Sequence, residues 1–143
     1  MMAIQISVFL ENKSGRLAEV THALAQASVN IRALSLAETI DYGVLRLLVD
    51  KPKEARKALS EAGFTVTETE VIGVEMPDRP GGLASIIDLL TKKGLNIEYL
   101  YAFVGQRGEN AVVIFRMDDV PAAVAALKEG GAHVLSADEL SAI

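Results

Sequence analysis

The chain has 143 residues, half of them hydrophobic and 5% aromatic, with 14 basic and 19 acidic side chains and a net charge of −5. An acidic chain without a basic run is poorly suited to a phosphate backbone, so no nucleic-acid partner is expected. The absence of cysteine excludes disulfides and thiolate metal sites. No apolar run reaches the roughly 18 residues of a membrane span, and Met1–Gln5 does not read as a signal peptide; a cytoplasmic location with no membrane partner is expected.

Along the chain, Ile4, Ile6, Val8 and Leu10 alternate with Gln5, Ser7 and Phe9, a strand with one face more apolar than the other. A loop, Glu11 to Gly15, precedes a helix from Arg16 to about Ala27, with Leu17, Val20 and Leu24 at helical spacing. A second strand, Asn30 to Glu38, turns at Ile40-Asp41-Tyr42-Gly43 into a third, Val44 to Val49. Asp50 is placed to cap the next helix and Pro52 suits its first turn; that helix stops at Gly63, and Phe64 to Val71 is a fourth strand. The chain runs on into Ile72 to Met76 with no Pro-, Ser- or Gly-rich linker, so a nearly rigid junction is expected.

The order then repeats. Pro77-Asp78-Arg79-Pro80-Gly81-Gly82 reads as a tight loop, because Pro fixes φ and Gly permits positive φ. Leu83, Ile86, Ile87 and Leu90 form one stripe of a helix to Lys92, and Gly94 ends it. Strands follow over Asn96–Val104 and Ala111–Met117, joined by the turn 104–110. Asp119 and Pro121 open a helix that Gly130-Gly131 closes, and a strand begins near Ala132. At an offset of 66, Gly15 falls on Gly81, Leu17 on Leu83 and Asn30-Ile31 on Asn96-Ile97; from the third strand the offset is 68, placing Val44 on Val112 and Gly63 on Gly131. This is an internal duplication. The expected fold class is α+β: two ferredoxin-like βαββαβ units, residues 1–70 and 71–143, each a four-stranded antiparallel sheet with two helices on one face. Units of this size fold alone only marginally, so the copies are expected to pack on each other or on a second chain.

The polar feature that repeats is the loop before each first helix, with the Asn after that helix. Unpaired N–H groups at a helix N-terminus favour a carboxylate, Gly81, Gly82 or Gly15 would let a ligand approach the main chain, and Asn offers both donor and acceptor. Asp78 could accept from an ammonium group. Residues of these types in such a loop are most often turn formers and caps.

Asp78-Arg79-Pro80-Gly81-Gly82-Leu83-Ala84 with Gly94-Leu95-Asn96-Ile97 resembles the signature of the ACT domain family. The resemblance implies a tandem pair of βαββαβ domains with no attached catalytic domain, binding an amino acid or related effector where paired domains meet. Carried over, the implied ligand residues are Asp78, Gly81, Gly82, Leu83, Asn96 and Ile97, and in the first copy Asn12, Gly15, Arg16, Leu17, Asn30 and Ile31. The first copy departs from the pattern: Asn12 stands for the Asp, Ser14 for the Pro and Arg16 for the second Gly, so the two sites are not expected to be equivalent. The implied function is a non-enzymatic regulator or sensor, a homodimer of tandem pairs. The alternative is a regulatory subunit of a biosynthetic enzyme partner, since Ile6 to Ala37 also resembles the start of the acetolactate synthase regulatory subunit.

Other chemistry has little support. His22 and His133 have no His, Cys or carboxylate at ligand spacing beside them, so no metal or other cofactor is expected. No nucleophile–base cluster or phosphate loop is recognisable. Tyr99, Tyr101 and Phe103 alternate as in an RNA-binding sheet, but the first copy has Ala33, Ser35 and Ala37 there, and these aromatics are expected to cover an apolar interface.

Overall fold

The structure is a computed structural model, described here for residues 2–38, 41–103 and 107–143. The chain divides into two compact units, Ile4–Thr69 and Glu70–Ile143, the latter with the N-terminal residues up to Ala3. Each is a βαββαβ unit, and the α+β class expected from the duplication is the class observed.

The first unit comprises β1 (Ala3–Glu11), α1 (Arg16–Gln26), β2 (Ile31–Glu38), β3 (Tyr42–Val49), α2 (Pro52–Glu61) and the first part of β4 (Thr65–Pro77). Its strand order is β2–β3–β1–β4, with β3 antiparallel to both neighbours and Leu45 facing Val8 on one side and Leu36 on the other. The second unit takes the rest of β4, then α3 (Gly82–Thr91), β5 (Ile97–Ala102), β6 (Asn110–Met117), α4 (Val120–Glu129), β7 (His133–Leu135) and α5 (Ala137–Ser141). Its order, β5–β6–β4–β7, is the same arrangement one copy later.

Period-2 strands and 3.6-period helices place matching residues in matching cores. Ile6, Val8, Leu24, Leu47 and Leu59 fill the first, and their counterparts Ile72, Val74, Leu90, Phe115 and Leu127 fill the second. The more polar face of β1 is buried at Gln5 and Ser7 and exposed at Phe9. The Gln5 amide satisfies part of its hydrogen-bonding capacity by donating to Ser7 Oγ at 2.9 Å.

Three local expectations change. Asp50 does not cap α2: the N-cap is Lys51, which makes no side-chain cap bond. The Asp50 carboxylate instead accepts the Asn30 N–H at 2.9 Å, and the Asp50 N–H donates to the Asn30 carbonyl at 3.1 Å. One position of register decides this, because Asp119 in the second copy matches Lys51 and does cap its helix, accepting the Ala122 N–H at 3.1 Å. The two strands read on either side of residue 71 are one strand, Thr65–Pro77, with nothing to interrupt the extended backbone. The expected turn at residues 40–43 begins outside the described residues, and its Tyr42 and Gly43 already belong to β3, paired with Glu11 and Leu10. Likewise only residues 107–110 of the turn at 104–110 are described; Arg107 and Asn110 close it with reciprocal backbone hydrogen bonds.

Candidate functional site

The loop of the second unit is built by its own backbone. Beyond Pro77 the Arg79 N–H returns to the Pro77 carbonyl at 3.0 Å, and the Gly82 N–H returns to the Arg79 carbonyl at 3.0 Å. Gly81, at φ +87°, is the N-cap of α3 and has no side chain to offer it. Its carbonyl accepts the Ser85 N–H and hydroxyl, each at 3.0 Å. Gly82 is required for a different reason: a Cβ on it would run into the Pro77 carbonyl oxygen. The turn thus presents the first turn of α3 beside exposed Asp78 and half-exposed Leu83.

In the first unit Gly15 takes the same left-handed conformation, φ +92°, but Arg16 replaces the second glycine and the turn is looser, with Arg16 N–H 3.4 Å from the Lys13 carbonyl. The Arg16 guanidinium is held back by Glu19 at 3.0 Å and Glu11 at 3.8 Å. A hydrogen bond from Lys13, with the charges of Lys13 and Arg16, keeps the Glu11 carboxyl below the usual carboxylate range. Asn12 donates its N–H to the Asp41 carbonyl at 3.0 Å. Asn12, Arg16, Leu17 and Leu36 enclose only about 40 Å³, space for about one water and well short of a small-molecule site.

Within either unit the implied residues fall into two groups. Asp78, Gly81, Gly82 and Leu83 gather at the start of α3, whereas Asn96 and Ile97 follow its end, roughly 15 Å away for ten residues at 1.5 Å each. Asn12, Gly15, Arg16 and Leu17 are separated from Asn30 and Ile31 by α1 in the same way. Ile97 and Ile31 pack against the cores. Asn96 is exposed, and the Asn30 backbone is committed to Asp50.

Each unit also carries a larger cleft, at the same place in both copies, lined by the end of the first strand, the first turns of the first helix, the glycine turn after the second helix and the start of the last strand. In the second unit it measures about 390 Å³ and holds a polar cluster. The Glu75 carboxylate, only 12% exposed, accepts from Asn110 Nδ2 at 3.0 Å, lies 2.7 Å from His133 Nδ1 and pairs with Arg107 at 3.7 Å. The Asn110 bond is the first cause holding the Glu75 carboxyl below its ordinary range, helped by His133 and Arg107 against the opposing effect of burial. Glu139 on α5 completes the cluster, 3.5 Å from Arg107 and 3.4 Å from His133. His133 therefore has carboxylates beside it, Glu75 from the remote strand β4 and Glu139 from α5, six positions further on. Among the described residues no His, Cys, Asp and Glu group is arranged to hold a metal ion, and no helix is long and apolar enough to cross a membrane. Sequence spacing missed this cluster because Glu75 and His133 are 58 positions apart. The capping box between Ser136 and Glu139 that builds α5 was legible as Ser-x-x-Glu.

Two tandem βαββαβ units, each with a left-handed glycine opening its first helix, define a paired α+β fold. The ACT domain pair model matches residues 1–142, and the chain belongs to that family. A crystallised protein of Bacteroides thetaiotaomicron is 41% identical, with 100% of this chain and 98% of that one covered and a TM-score of 0.94. The ligand-free regulatory subunit of aspartate kinase from Thermus thermophilus shares the fold at 20% identity, with 91% and 93% of the two chains covered and a TM-score of 0.67. The corresponding subunit from Thermus flavus does so at 17% identity, with 92% and 94% covered and a TM-score of 0.59. No curated protein matches the sequence.

Proposed function

We propose that this chain is a non-enzymatic regulatory module that binds an amino acid or a close analogue and passes its presence to a partner. The observation that carries the reading is the whole-chain match to an ACT domain pair, with the left-handed glycine repeated before the first helix of each copy. The glycine-loop end of one ACT domain, with Asp78, Gly81, Gly82 and Leu83, would supply main-chain donors for the carboxylate. The residue after the first helix of a neighbouring domain, Asn96 or Asn30, would complete the site, which accounts for the separation of the two groups within one unit. Ile97 and Ile31 would form its apolar floor. Asn12, Gly15, Arg16 and Leu17 form the variant loop, with Arg16 occupied by Glu11 and Glu19.

A thermal-shift screen against the twenty amino acids and a few keto acids tests this. A ligand present at 100 times its Kd stabilises the folded state by roughly 2.7 kcal/mol. One responding chemical class, with the response weakened by Asn96→Ala at unchanged melting temperature, would support a sensor. No response from any member of the panel would sink the effector reading and leave a contact module that acts on its partner directly. Size-exclusion measurement with and without the responding ligand reports whether paired chains are needed, and co-purification identifies an enzyme partner.

A further inference from the structure

The cleft of the first unit has a different lining from its twin. Where the second unit has Glu75 and Asn110, the first has Phe9 and Tyr42, 45% and 62% exposed, in a cleft of about 330 Å³ that also includes Phe64. These are the three aromatic residues of residues 4–69; Phe64 packs against the core, which leaves Phe9 and Tyr42 as the exposed pair. Tyr42 lies opposite Glu11 in the β1–β3 ladder and Phe9 is opposite Val44. Phe9 and Tyr42 are thus a diagonal pair on one face, close enough for long side chains to form a continuous wall. The rim of the cleft carries both signs of charge, Arg16 against Glu11 and Glu19. All three are substantially exposed, with side-chain exposures of 35% for Arg16, 50% for Glu11 and 55% for Glu19.

We propose that this cleft is a second ligand site, specific for a small zwitterion bearing a planar aromatic ring. Its volume lies at the lower end of the range for small-molecule sites, and its lining, with Glu11, Arg16 and Glu19 beside Phe9 and Tyr42, is more polar than apolar. An aromatic ring stacks on Phe9 and Tyr42. A bare anion would meet two carboxylates, and a bare cation would meet the guanidinium. A zwitterion places its carboxylate on Arg16, whose five donors are not exhausted by Glu19, and its ammonium on Glu19 or Glu11. The second unit does not offer the same wall, because Glu75 and Asn110 stand where Phe9 and Tyr42 do, Glu75 already engages Asn110, His133 and Arg107, and no Phe, Tyr or Trp among the described residues lines its cleft. The site shares Arg16 with the variant loop of the first copy and none of Asn96, Gly81 and Gly82 with the second, so the aromatic variants, not Arg16, separate the two readings.

The chain contains no tryptophan, so added L-tryptophan is its own fluorescent probe. Titrating the full chain into L-tryptophan should raise anisotropy and shift emission in a saturable phase. Phe9→Ala and Tyr42→Ala should each weaken that phase about tenfold, the size expected for one lost aromatic contact. Tyr42→Phe should retain it, which guards against a folding defect, and Glu75→Gln, in the cleft of the second unit, should leave it unchanged. Arg16→Gln should weaken L-tryptophan but not tryptamine, which lacks the carboxylate. Absence of any saturable phase, or a phase that survives both Phe9→Ala and Tyr42→Ala, overturns the proposal. A phase lost only in Asn96→Ala overturns it too and assigns the binding to the paired loops.

Discussion

The carbonyl oxygen of Pro77 occupies the space that a Cβ on residue 82 would need. Two adjacent glycines in one turn are therefore there for different reasons. Gly81 is held at a positive φ with open space around it, whereas Gly82 is held by contact with main-chain atoms that cannot rotate away.

Gly81→Ala should cost roughly 1 kcal/mol or slightly more from the left-handed backbone alone. Gly82→Ala should cost more, toward the upper part of the ~1–3 kcal/mol range of overpacking substitutions. Urea denaturation of the two variants ranks them. The reverse ranking would show that the turn widens freely, as it has around Arg16 in the first copy.

Asp50 and Asn30 exchange two hydrogen bonds across the first unit, and only one of the four groups is a side-chain atom. Asp50→Ala should cost about 1.5–3 kcal/mol, typical for a hydrogen bond to a charged acceptor. Asp50→Asn, which keeps an acceptor oxygen, should lose less. Asn30→Ala should stay within about 0.5 kcal/mol, as for an ordinary surface change. A large loss in Asn30→Ala at unchanged ligand response would make that side chain structural.

Glu75 sets an acid limb. Its carboxyl lies below the ordinary 4.5 in the folded chain, chiefly through the Asn110 amide. The folded state thus holds fewer protons there than the unfolded state, and the stabilisation is fully present above the unfolded value. It is lost as pH falls from about 4.5 through the folded value. Melting temperature should drop more steeply over that acid range in the parent than in Glu75→Gln. Parallel acid limbs would mean that the carboxylate is no better accommodated in the fold than in water.

The short helix α5 depends on its reciprocal cap, in which Ser136 Oγ accepts the Glu139 N–H at 3.1 Å and Glu139 accepts the Ser136 N–H at 3.2 Å. Ser136→Ala should speed amide exchange across Ala137–Ser141 while leaving the core amides of β6 protected. Equal acceleration in both would show that the helix end and the core open as one unit.

The fold was legible because its signals are local and repeated. Ile6 and Ile72, Leu24 and Leu90, and Leu59 and Leu127 hold the same places in two periodic patterns, and both copies put a left-handed glycine ahead of the first helix. The sites were less legible because they depend on register and distance. Nothing in the local pattern around Asp50 distinguishes a cap from a residue one position too early, and the partner that decides it, Asn30, is twenty positions away. Glu75 reads as a polar residue in an apolar strand until His133 and Asn110 arrive from other strands. Phe9 and Tyr42 are unremarkable singly, and it is the pairing of β1 with β3 that sets them side by side. The contact between Gly82 and Pro77 needed coordinates as well, since either glycine alone satisfies a turn.

One strand, Thr65–Pro77, finishes the first unit and begins the second, with no residue outside regular structure where the contacts change at Glu70. Proteases need a stretch of chain that can leave its hydrogen bonds and enter the enzyme's cleft, and such stretches concentrate at loop tips. A gentle digest should therefore nick the chain elsewhere before it releases two halves. Any attempt to prepare the halves separately has to cut through a ladder, leaving each with a frayed, adhesive border where its neighbour's backbone used to continue.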